Sequence, residues 1–179
     1  LGVTLEKKIP VFITEDEFWN GFAEPLRTRI VLDPRFSLEP QIGLHRFMLH
    51  ELTHILNFLA VESNAPYSRL SKAAGLPSWF AEGLAQYQAE FWAPEMDRLL
   101  RLNYLNDSLL TLAQRRIFGS IGRGADGYNE GYSLVKFMFD TYGRDKIPLL
   151  MNTYRGQNMS FEQAIQLTFG HSLLQLEAQ

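Results

Sequence analysis

The sequence predicts an α+β protein that is mostly helical, with a small N-terminal β-sheet. The strand signals fall within residues 1–39, and from Pro40 onward apolar residues recur at three- and four-residue spacing. The chain also has no cysteine, so neither disulfides nor thiolate metal sites hold it together. Its 179 residues suit one domain, 1–179, with a strand-bearing part at 1–39 and a helical part at 40–179.

Ile9 to Ile13 (IPVFI) reads as a strand because β-branched residues dominate it. Thr14 reads as the N-cap of a short helix running through Ala23, with Glu15, Asp16 and Glu17 in its first turn. Arg29 to Leu32 (RIVL) is a second strand, ended by the turn pair Asp33-Pro34. Pro40 opens a long helix whose apolar face is Leu44, Met48, Leu52, Ile55 and Leu59, ending near Glu62 before Ser63-Asn64-Ala65-Pro66. A helix from Pro77 to Trp92 follows, started by its proline and limited by Pro94. Leu109 to Phe118 reads as helical. Gly119, Gly122, Gly124 and Gly127 mark a flexible loop. Helices are then expected over Tyr128 to Tyr142, closed by Gly143, over Lys146 to Tyr154, and over Ser160 to Phe169, closed by Gly170.

Composition excludes some classes. Net charge is −3, from 17 basic and 20 acidic residues, which is not the basic surplus that a nucleic-acid surface needs. No run reaches eighteen apolar residues, so no transmembrane helix is expected. No basic segment followed by an apolar one opens the chain, and it starts at Leu1, as a processed or excised piece would. The compartment stays open, with an extracytoplasmic one favoured. Gly122, Gly124 and Gly127 spell G-x-G-x-x-G, but no parallel strand precedes them, so a dinucleotide site is rejected. Asn106-Asp107-Ser108 and Asn158-Met159-Ser160 fit glycosylation sequons, a pattern common by chance.

The chemistry concentrates at residues 50 to 54, His-Glu-Leu-Thr-His. On a helix, positions i and i+4 share a face, so His50 and His54 can ligate one Zn²⁺. Glu51 then lies beside the ion, placed to accept a proton from a water the metal activates. A catalytic zinc site needs a third protein ligand. His45, five residues before His50 on the same helix, points away, and His171 follows Gly170 near the C-terminus, where a cap or surface role is more usual. The better choice is Glu82, a lone carboxylate among Trp79, Phe80, Ala81, Leu84 and Ala85 that is costly to bury unpaired. Gly83 beside it costs the helix about 1 kcal/mol against Ala, which suggests close approach of another backbone or a ligand. The aromatics Trp79, Phe80, Phe91 and Trp92 are expected in the core.

HELTH followed by PSWFAEGLAQY at 77–87 resembles the gluzincin branch of zinc metallopeptidases, in particular the peptidase-MA-like family. Gly127-Tyr128 with Tyr132 to Phe137, Tyr142 to Lys146, Ser160 to Ala164, and Phe169 to Leu173 are similar to that family's later helices, so the resemblance covers about residues 9–177. It implies a zincin-like metallopeptidase domain with its sheet packed over the HExxH helix. It also implies one zinc on His50, His54 and Glu82, with Glu51 as general base. An oxyanion donor should follow the glycine-rich loop, and Tyr128 stands at that place, with Tyr132 one turn on as the alternative. Where many gluzincins carry an acid one turn after the third ligand, this chain has Gln86, which leaves Asn57, Asp126 and Glu130 to support the ligands.

The resulting expectation is a zinc-dependent hydrolase that cleaves peptide or protein substrates. The strand Arg29 to Leu32 is expected to offer its edge to the extended chain. The alternatives are a non-catalytic zinc-binding or scaffolding module within a larger protein, and a zinc hydrolase of non-peptide amides. An intact Glu51 speaks against the module.

Overall fold

The computed structural model describes residues 1–14, 21–33, 43–61, 75–90, 92–111, 124–156 and 159–179, without the side chains of 124–126. Three strands, β1 (Val11–Ile13), β2 (Gly21–Glu24) and β3 (Arg29–Leu32), precede seven helices among these residues. The helices are α1 (Leu44–Val61), α2 (Ser78–Gln88), α3 (Pro94–Leu105), α4 (Gly124–Tyr142), α5 (Lys146–Gly156), α6 (Phe161–Phe169) and α7 (Leu173–Glu177). The α+β, mostly helical reading stands. Among the described residues no helix is long and apolar enough to cross a membrane.

The sheet order is β1-β3-β2, with β1 parallel and β2 antiparallel to β3. Val31 of β3 therefore faces Phe12 on one side and Phe22 on the other. This corrects two expectations. Residues 21–23 do not continue a helix: they begin β2, and Pro25 next to it opens a short 3₁₀ turn, Pro25–Arg27. The residues proposed for that helix's first turns, 15–20, lie outside the described ones. Nor can Arg29–Leu32 lend an edge, since both of its sides are already paired. Among the described strands, β2 is the outer one on the side of α1. Ile30 and Leu32 bury themselves from the centre of the sheet, which rests on α1 as expected.

Helix α1 is gripped from several sides, by the sheet, α2 and α5. Its most buried residues are Phe47, Glu51, Thr53, Ile55, Asn57, Ala60 and Val61. Of the apolar face expected for it, Ile55 is buried but Leu44 is exposed. Met48 and Leu52 line a smaller cavity of about 300 Å³ under Leu5 and Ile9. The expected start at Pro40 and the stop near Glu62 and 63–66 lie outside the described residues.

The main core joins the end of α1 to α2, α4, α5 and α6. Trp79 and Phe80 sit in it, and Phe80 packs on Phe161 with ring centroids 4.8 Å apart. Trp92, also expected in the core, instead stacks on Tyr132 at 4.4 Å and is half-buried, while Phe91 lies outside the described residues. Helix α2 stops at Gln88, four residues short of Trp92. Pro94 does not merely limit α2. It is the first residue of α3, with Glu95 and Asp97 completing a good first turn. The expected helix at 109–118 is not seen at 109–111, and the rest of it lies outside the described residues. Gly124 and Gly127 belong to α4 and not to a loop, whereas Gly119 and Gly122 fall outside. Gly143 and Gly170 close α4 and α6 with φ of +90° and +77°, the left-handed conformation that glycine adopts without strain.

Candidate metal centre

Three helices, α1, α2 and α4, bring the site together, and a contact between backbones sets the spacing of the last two. A Cβ added to Gly83 would run into the backbone carbonyl of Gly131, and one added to Gly131 would strike the carbonyl oxygen of Trp79. Helices α2 and α4 thus cross at two glycines, the close approach that Gly83 suggested. The crossing holds α2 so that Glu82 faces α1 and holds the start of α4, with Tyr128, over the same space.

On α1, the Nε2 atoms of His50 and His54 lie 3.1 Å apart. Oε2 of Glu82 is 3.3 Å from each of them. It is buried and takes no hydrogen bond despite that proximity. Three ligand atoms at these separations match three corners of a tetrahedron, whose edges are about 3.3–3.4 Å when each ligand bond is ~2.0–2.1 Å. Two imidazole nitrogens and a carboxylate oxygen are also a donor set that zinc takes. The residues therefore fit a metal ion. Burial pushes the Glu82 carboxyl up, but the imidazoles of His50 and His54 beside it pull harder and hold it at about 2. Burial also lowers His54, and Glu82 more than offsets this, leaving it raised.

Glu51 is buried beside the triad, and its Oε2 accepts the backbone N–H of Ala23 at 2.7 Å. Burial raises its pKa, a shift that His54, His50 and the Ala23 N–H only partly offset. A raised carboxylate is a better proton acceptor near neutral pH than an ordinary one. The sequence gives no pointer to Ala23, because residues 21–23 read as the end of a helix. Pro25, together with the turn pair Asn20-Gly21, was the available signal against it.

Of the two tyrosines, Tyr128 lies at the site, with its ring centroid 6.0 Å from that of His50. Burial, then the charges of Glu82 and Glu51, raise its pKa, which keeps the hydroxyl protonated and able to donate. Tyr132 is away from the triad, packed between Trp92 and Tyr87. His45 is exposed on another face of α1, and His171 lies against Tyr142. Asn57 is buried, and its Nδ2 donates to the carbonyl of Ala81, the residue before Glu82, at 3.5 Å. Gln86 and Glu130 are both buried, and Gln86 borders the cavity. The side chain of Asp126 lies outside those described. Two cavity residues that the sequence reading missed, Met96 and Leu99, come from α3, which was not recognised as a helix.

Fold and site together define a zincin-like metallopeptidase domain: an HExxH helix, a carboxylate supplied by the next helix, and a small sheet laid across them. The peptidase MA superfamily model matches residues 41–179, and the chain belongs to that superfamily. No curated protein and no solved structure matches it.

Proposed function

We propose that the protein is a zinc metallopeptidase of the gluzincin type, with Glu51 as general base and Tyr128 as oxyanion donor. The observation that carries this is the convergence of His50, His54 and Glu82 at 3.1–3.3 Å, with Glu51 buried at their side. Those three residues would hold the ion, which would supply Lewis acidity and make water easier to deprotonate near neutral pH. Glu51, oriented by the Ala23 N–H, takes the proton of the attacking water and delivers it to the leaving amine. The Tyr128 hydroxyl donates to the oxygen that gains negative charge as the carbonyl becomes tetrahedral. An extended peptide lies against β2, whose residues Gly21, Phe22 and Ala23 line the cavity.

The test is metal analysis followed by turnover of a general peptide library. About one zinc per chain is expected, and Glu51→Gln should keep the metal and lose cleavage. Tyr128→Phe should also keep the metal, with kcat down by roughly 10²–10³. Cleavage that survives Glu51→Gln would remove Glu51 from its role. A protein that takes up no zinc would end the reading altogether.

A further inference from the structure

Glu82 and the two histidines come from different helices, so their separations depend on how α1 and α2 are held against each other. Asn57 stands at that junction. It lies three residues after His54, about one turn on along α1, and borders the same cavity as His50, His54 and Glu82. Its Nδ2 donates across to α2, to the carbonyl of Ala81 at 3.5 Å. Ala81 is the residue directly before Glu82. The amide therefore reaches from the turn that follows one candidate ligand to the backbone beside another.

Stability does not account for this side chain. Inside a helix the Ala81 carbonyl already has a partner in the N–H of Ala85, four residues on, so α2 does not need Asn57 to satisfy its backbone. Asn57 is itself buried, and its Oδ1 takes no hydrogen bond among the described residues. A buried amide that makes one long bond and leaves its oxygen unpaired loses more hydration than that bond returns. The same helix buries Ile55, Ala60 and Val61, so an apolar side chain of similar size, such as leucine, would suit the place better. A polar group kept at a cost to the fold is expected where a functional geometry depends on it.

We propose that Asn57 is a positioning residue: its amide sets α2 against α1 so that the Glu82 carboxylate stands 3.3 Å from both imidazoles. This rests on the zinc reading above. The test is zinc affinity, measured by competition with a chromophoric chelator, beside urea unfolding of the zinc-free protein. Asn57→Leu should raise the zinc dissociation constant about 10–100-fold, the range for groups that orient metal ligands. Its urea midpoint should stay unchanged or rise, since the buried unpaired oxygen is gone. Weaker zinc without a weaker fold is what a purely structural residue would not produce. Asn57→Gln keeps the donor on a longer arm, so its zinc affinity should lie between those of the wild type and Asn57→Leu. Unchanged zinc affinity in Asn57→Leu, or equal weakening in both variants, would overturn the assignment while leaving the zinc site standing. A lower midpoint or a failure to fold in Asn57→Leu would make Asn57 a packing residue and overturn it too. A wild-type protein that takes up no zinc would instead bring down the zinc reading, and this inference with it.

Discussion

Helices α2 and α3 follow one another in the chain and border the same cavity, yet they are anchored in opposite ways. Six of the eleven residues of α2 are buried, including Trp79, Phe80 and Leu84. None of the twelve in α3 is. Helix α2 crosses α4 backbone to backbone at Gly83 and Gly131, whereas α3 touches the body of the protein chiefly along α4. The difference matches what each contributes. Glu82, proposed as a metal ligand, must be held within fractions of an ångström for that role, which packing on all sides achieves. A wall that meets varying side chains needs no such anchoring, and weakly buried segments are where proteins can change at least cost.

The largest effects should follow changes in α2. Glu82→Ala should reduce bound zinc to background and abolish cleavage, while the metal-free fold survives because its packing rests on Phe80 and Leu84. Elemental analysis and circular dichroism read the two halves of that statement; full zinc occupancy in the variant would remove Glu82 from the ligand set. Phe80→Ala should cost about 3–5 kcal/mol in urea unfolding, since the ring is fully buried against Trp79 and Phe161. Gly83→Ala sharpens the contrast further. In an exposed helix that change stabilises by about 1 kcal/mol. Here the added carbon meets the Gly131 carbonyl, and overpacking of this kind costs about 1–3 kcal/mol, so the net sign should be destabilising. A stabilised Gly83→Ala protein would mean that the two helices can slide apart freely.

The same contrast explains which parts of the structure could be read from the sequence. His50 and His54 declared themselves by spacing, because a helix turns one-dimensional periodicity into a shared face. Glu82 was legible because a lone carboxylate among Trp79, Phe80 and Leu84 needs a partner. Strand β3 matched its expected bounds, being short, β-branched and central. What stayed hidden depended on contacts distant in sequence. Residues 21–23 take strand form because β3 pairs with them and Glu51 accepts the Ala23 N–H, neither of which is local. The start of α4 was hidden because Gly124 and Gly127 read as breakers. Helix α3 is hidden for a different reason: Pro94 reads as a stop, although proline suits a first helical turn as well as it ends one.

Helix α3 provides the smallest expected effects. Leu105 is 73% exposed, so Leu105→Ala should change unfolding free energy by less than about 0.5 kcal/mol, roughly a tenth of the Phe80→Ala effect. Amide exchange offers a finer measure of the same asymmetry. Opening α3 exposes no buried side chain of its own, so its amides should exchange through a local event well below the global unfolding free energy. Opening α2 breaks the Gly83–Gly131 crossing and exposes Trp79 and Phe80, so its slowest amides should exchange only with global unfolding. Protection in α3 equal to that in α2 would show that this wall of the cavity is as fixed as the helix that carries Glu82.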